Sequence, residues 1–269
     1  MQVQTSLMGD AIATAYVCQG QGEPPILFLH GFDSSVMEFR RLLPKLAEQT
    51  QTWALDLLGF GFTERPDALE ISTRTIQQHL YAFWETAIQR PVVLVGASMG
   101  GAAAIEFALA FPDAVEKLVL LDSAGYSSGP AMGSLLIDPL GYWVTERFLR
   151  MPKVRQQISE KAYYDRSFAS LDAQCCAALH LDCPNWSKAL ISFTRSGGYR
   201  SCRDRLSQVQ CPTLILWGAS DKILGTKDAV RFQVGIPGSR LLWVADCGHV
   251  PHLEKPDFTA DAIVDFVFG

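Results

Sequence analysis

Six short, almost continuous apolar runs recur along the chain, at 25–30, 52–57, 91–95, 117–122, 212–217 and 240–244, and amphipathic stretches of helical length separate most of them. A strand that is apolar at nearly every position is buried on both faces, as in a parallel sheet covered by helices. The segments 36–49, 73–89, 99–111, 226–234 and 257–266 carry helical periodicity. This alternation predicts an α/β fold, a mostly parallel sheet with helices on both faces. The first 18 residues differ: 3–7 and 11–17 flank Met8-Gly9-Asp10, which reads as a hairpin edging the sheet.

The alternation breaks between Asp122 and Cys211, where Pro130, Pro139, Pro152 and Pro184 punctuate helix-like pieces such as 142–149 and 155–163. The expected organisation is one core, 1–122 plus 211–269, with a helical cap, 123–210, inserted into it. Charge divides along the same line. The whole chain carries −5, but residues 123–210 carry +4 and the remainder −9. The excess reads as solvated, Arg-rich helix faces, with a basic lid that would favour a substrate carrying an anionic portion as the alternative.

Composition removes several function classes. With 48% hydrophobic and 19% charged residues the chain is the reverse of a disordered one. Its acidic balance argues against nucleic acid, which is held by basic stripes. Only 15 residues separate Arg90 from Glu106, and 15 separate Asp122 from Asp138. A membrane span needs roughly 18–20 uninterrupted apolar residues. Residues 1–10 show no cationic start followed by an apolar block, and the seven cysteines include no C-x-x-C pair. These features point to a cytoplasmic protein with reduced thiols.

After the run 91–95 comes Gly96-Ala97-Ser98-Met99-Gly100-Gly101, then a helical stretch. G-x-S-x-G between a strand and a helix is the pattern of a sharp turn that lifts a serine hydroxyl above a sheet. A serine is a weak nucleophile unless a base and an orienting acid accompany it. Asp221 follows the run 212–217 and His249 follows 240–244, both at strand C-terminal ends, where open α/β sheets gather their reactive groups. Asp122 ends another strand and is a rival acid. Asp221 belongs to the strand immediately before the histidine loop, which favours it. His252 lies three positions beyond His249. At His30-Gly31-Phe32-Asp33, the backbone N–H of Phe32 can pair with that of Met99 to hold an oxyanion. His30, at a strand end, reads as a structural hydrogen bonder, with a general base as the rival role.

The motifs His30-Gly31-Phe32, 56–63 (DLLGFGFT), Gly96 to Gly100, Trp217 to Asp221 and 248–256 (GHVPHLEKP) together resemble the α/β-hydrolase superfamily. More narrowly, HGFDSS at 30–35, Ser196-Gly197-Gly198-Tyr199 and 180–186 resemble a little-characterised group of α/β-hydrolases from cyanobacteria and plant plastids. The resemblance implies Ser98 as nucleophile, His249 as general base and acid, and Asp221 as the orienting carboxylate. No metal or organic cofactor is implied. A serine nucleophile sets the chain apart from the haloalkane dehalogenases and epoxide hydrolases, which use aspartate. Carbon–carbon bond hydrolases typically carry Gly-Pro-Gly after the HG turn, where this chain has Phe32-Asp33-Ser34-Ser35. Thr63 stands where many relatives have serine, a change expected to affect loop packing. The resulting expectation is hydrolysis of a carboxylic ester, a small-molecule substrate, through an acyl-Ser98 intermediate. Cofactor-free haloperoxidase or perhydrolase, thioesterase or lipase activity, and a non-catalytic small-molecule receptor of the same fold are alternatives. Tyr142, Trp143, Trp186 and Tyr199 are the candidate apolar walls of a substrate pocket.

Overall fold

Every predicted parallel strand forms. The computed structural model describes residues 1–127 and 145–269. Its main sheet has seven strands in the order β3-β5-β4-β6-β7-β8-β9: β3 (Tyr16–Gln19), β4 (Ile26–Leu29), β5 (Thr52–Leu55), β6 (Val92–Ala97), β7 (Val115–Leu121), β8 (Thr213–Gly218) and β9 (Arg240–Val244). All neighbours are parallel except β3, which runs antiparallel to β5 at one edge.

The period-2 geometry of a strand explains why its runs are apolar throughout. Leu27, Leu29, Leu94, Leu118, Leu120 and Ile215 project to one face. They meet α2 (Thr73–Ala87), α3 (Met99–Ala110) and α7 (Lys227–Gly235). Ile26, Phe28, Val93, Val95, Val119 and Leu214 project to the other, against α1 (Leu43–Ala47) and α8 (Pro256–Phe268). Serine caps α2, since the Ser72 hydroxyl accepts from Thr75 N–H while the Thr75 hydroxyl accepts from Ser72 N–H.

Two expectations need correction. The segment 36–49 is not one helix but a 3₁₀ turn, Val36–Phe39, followed by α1. Pro44 sits in the first turn of α1, and its ring excludes a helical carbonyl four residues earlier. The N-terminal hairpin does not edge the main sheet either. Its strands, β1 (Gln2–Val3) and β2 (Ile12–Ala13), make a separate two-stranded sheet. The Thr14 hydroxyl bonds back to Ile12 O and reaches His79 Nε2, which ends β2 before the chain re-enters as β3.

Between β7 and β8 the described residues form no strand. A π-helical turn, Thr145–Leu149, leads into α4 (Pro152–Ala162), α5 (Leu171–Ala178) and α6 (Trp186–Arg195). These helices lie over the C-terminal ends of the sheet strands, and a cavity of about 360 Å³ separates the two parts.

Candidate active site

The chain reverses direction sharply where β6 meets α3. Ser98 sits at φ 51°, ψ −117°, a conformation that L-residues rarely adopt. Small neighbours make the turn tolerable: a Cβ on Gly96 would lie 2.3 Å from Gly100 O, and one on Gly100 would lie 2.0 Å from Leu29 O. The turn leaves Ser98 partly exposed in the cavity wall, while Met99, at the first position of α3, is buried. The first N–H groups of a helix have no partner within it. Met99 N–H is therefore positioned to receive an acceptor.

His249 also lines the cavity. Its Nδ1 lies 3.0 Å from Asp221 Oδ2, and both residues are buried. Asp221 is fixed in turn by its own loop, Oδ1 accepting from Ile223 N–H at 2.7 Å and Leu224 N–H at 3.1 Å. An ionised carboxylate beside Nδ1 selects the tautomer with the proton there, leaving Nε2 as the basic nitrogen. The histidine loop is tied to the helical segment as well. His249 N–H donates to Ala162 O at 2.7 Å, and Glu254 accepts from Gly248, Tyr164 and Asp165 N–H groups. Glu254 lies in the quoted GHVPHLEKP stretch, but nothing in the sequence tells that its carboxylate turns inward to three backbone donors.

The turn after β4 supplies the other wall. Gly31 approaches Ser98 so closely that a Cβ on it would stand 3.4 Å from Ser98 Cβ. Gly31 N–H donates to Glu38 Oε2 at 2.8 Å, and His252 Nε2 lies 3.0 Å from Glu38 Oε1. Burial alone would raise the Glu38 carboxyl, but His252, His30 and the Gly31 N–H outweigh it and hold its pKa at about 2. Phe32 lines the cavity half-exposed, its ring against Phe60 and Phe193. Asp33 follows at φ 50°. His30 is fully buried with both ring nitrogens on backbone, Nδ1 at Gly31 O and Nε2 accepting from Leu57 N–H. That is the structural role read for it from the sequence. Thr63 likewise serves its loop, donating to Asp56 O and accepting from Ala15 N–H.

The aromatic pocket candidates fare differently. Tyr142 and Trp143 lie outside the described residues. Trp186 is buried in the core, not in the cavity wall, with Nε1 donating to Asp33 Oδ1 at 2.8 Å and Arg150 over its ring. Tyr199 packs on Phe193 and lines a separate groove with Arg74, Glu106 and Arg205. Sequence gives an aromatic residue's size but not its direction, and both indicated size alone. The cavity surface is mostly apolar, supplied by residues such as Met37, Leu149, Ile158, Val250 and Leu253, with Glu38, Arg40, Arg155 and Gln174 also in its wall.

The basic excess of the helical segment is not turned towards the cavity as free charge. Arg155, which does line it, is paired with Asp33 at 2.9 Å, and Arg40 with Asp172 at 2.8 Å. Lys188 meets Asp67, and Arg205 meets Glu106. Of the segment's cations, Arg155, Lys188 and Arg205 thus pair with acids of the core, while in the Arg40–Asp172 pair the core supplies the cation, and these pairs give no support to an anionic substrate.

Donor atoms of Asp122, Asp221 and His249 lie within 4.8 Å of one another, the one such grouping among the described residues. Asp221 and His249 are already committed to each other and to backbone N–H groups, which makes this a hydrogen-bonded network rather than a cation cage.

The family profile of the alpha/beta hydrolase fold matches residues 24–256. The chain belongs to this family. It is 32% identical to an alpha/beta hydrolase domain-containing protein, VTE7, of Arabidopsis thaliana over 247 residues, 91% of this chain and 74% of that protein. It is 29% identical to 2-hydroxy-6-oxo-2,4-heptadienoate hydrolase of Pseudomonas putida, covering 88% of this chain and 86% of that one. A thermophilic esterase from Thermogutta terrifontis superposes with a TM-score of 0.85 at 21% identity, covering 99% and 97% of the two chains, a likeness of fold. Like the first of these relatives, the chain is an α/β-hydrolase of the kind the sequence resemblance indicated. Among its described residues no helix is long and apolar enough to cross a membrane.

Proposed function

We propose that the protein is a serine hydrolase that cleaves a carboxylic ester through an acyl-Ser98 intermediate, with the helical segment serving as a cap over the reacting groups. The observation that carries this reading is the strained Ser98 turn opening on the same cavity as a buried His249–Asp221 pair. His249 Nε2 takes the Ser98 hydroxyl proton as Oγ attacks the ester carbonyl. The negative charge that develops on the carbonyl oxygen is held by the Met99 and Phe32 N–H groups, each worth about 3 kcal/mol to the transition state in comparable sites. Collapse expels the alcohol, which takes the proton from His249, and leaves the acyl group on Ser98. Water, deprotonated by His249, repeats the sequence and frees the acid. Asp221 stays ionised throughout and stabilises the imidazolium.

The largely apolar cavity suits an uncharged acyl group. Ser98→Ala is expected to abolish turnover of short neutral aryl esters and labelling by a fluorophosphonate, with the thermal unfolding transition retained. Turnover undiminished in this variant, or a label on another serine, would overturn the reading.

A further inference from the structure

Asp122 follows the last residue of β7 in left-handed backbone, φ 40°, and is wholly buried. Its Oδ1 accepts from Gly218 N–H at 2.9 Å, and its Oδ2 has no partner. Oδ2 is not remote from other polar groups, since the carboxyl belongs to the cluster with Asp221 and His249. A close contact between two buried carboxylates is repulsive unless one of them carries a proton. The donors decide which one does. Asp221 receives two backbone N–H groups and His249 Nδ1, whereas Asp122 receives one N–H. Charge therefore resides on Asp221 and the proton on Asp122. Consistently, burial first, then the charge on Asp221, with Glu254 adding to it, raises the Asp122 carboxyl well above the usual carboxylate range.

We propose that Asp122 is a second acid of the Asp221–His249 pair: it donates a hydrogen bond to Asp221 in the resting protein, and it becomes the carboxylate facing His249 when Asp221 is removed. This rests on the reading that His249 activates Ser98. The reason for the second role is electrostatic and steric. Removing the Asp221 carboxyl abolishes the repulsion that keeps Asp122 neutral and vacates space beside an imidazole that already lies within 4.8 Å of the Asp122 carboxyl.

The test compares Asp221→Ala with the double variant Asp221→Ala/Asp122→Asn, using the rate of fluorophosphonate labelling at Ser98, a readout that needs no known substrate. Neutralising the acid of a serine-histidine-aspartate site commonly costs about 10⁴-fold. Here Asp221→Ala is expected to lose only about 100-fold, and the double variant to reach the full loss of about 10⁴-fold. Single and double variants that label equally slowly would overturn the proposal. A second measurement does not depend on the stability of either variant. Infrared spectra at neutral pH are expected to show a protonated-carboxyl stretch in the native protein that is missing from Asp122→Asn, and a band that persists in that variant would equally overturn it. Labelling that survives Ser98→Ala would instead refute the serine reading itself, so the two failures are distinguishable.

Discussion

In β4, β6 and β7 the residues Ile26 to Leu29, Val92 to Val95 and Leu118 to Leu121 are all fully buried, whereas α4 buries none of its residues. The two regions face each other across the cavity and are held by different forces. The sheet is secured by apolar surface removed from water on both faces. α4 and α5 are secured by directional polar contacts, Arg155 and His180 to Asp33, Arg40 to Asp172, and the Glu254 carboxylate to Tyr164 and Asp165 N–H. α6 is intermediate, since Trp186, Ala189, Leu190 and Phe193 join the main core cluster. Burial resists change cooperatively, whereas polar contacts can be cut one at a time. A rigid sheet thus carries Ser98, Asp221 and His249 under a segment whose attachment is separable from the stability of the whole.

Breaking the sheet side should have the largest effect. Phe28 is fully buried with its ring 4.6 Å from that of Phe39, and Phe28→Ala is expected to lower the free energy of unfolding by about 3–5 kcal/mol in denaturant titrations. Breaking the polar side should act locally. Asp33→Ala leaves the Trp186 indole, the His180 imidazole and the Arg155 guanidinium without their common acceptor, at about 2–4 kcal/mol. Hydrogen exchange should report this as lost protection in α4 to α6 while β6 and β7 are unchanged. Equal loss in both regions would erase the distinction.

Acid should produce the same separation. Burial would raise the Asp33 carboxyl, but the His180 hydrogen bond and the Arg155 charge outweigh it and lower it. A carboxyl lowered on folding contributes stability above its unfolded value of about 4 and loses it as the pH falls from there toward its folded value. Protection of α4 to α6 is thus expected to decline below about pH 4 in the native protein and to show less of this dependence in Asp33→Ala. The smallest effect belongs to the half-exposed Arg205–Glu106 pair. Arg205→Ala should cost about 1 kcal/mol or less, and the difference should shrink as salt is added.

The sheet was legible because burial on both faces writes itself as an apolar run: β4, read as 25–30, forms over Ile26–Leu29 with every residue buried. That Ser98 and His249 meet at one cavity and that His249 meets Asp221 was legible because each of the three follows such a run at a fixed place in strand order. Contacts across long sequence separations were not. Trp186 looked like a pocket wall, and only the fold places it against Asp33, 153 residues away. Glu38 and Glu254 carry no local signal that they turn inward to backbone N–H groups. Asp122 was visible as a strand-end acid competing with Asp221, but sequence order forces a choice between two residues that share one site.

Acid-quenched mass spectrometry of the protein during turnover of a short aryl ester tests the central claim most directly. An adduct of the acyl group's mass on the peptide containing Ser98, absent from Ser98→Ala and decaying as product forms, is the predicted result. Turnover with no adduct on that peptide, continuing in Ser98→Ala, would contradict it.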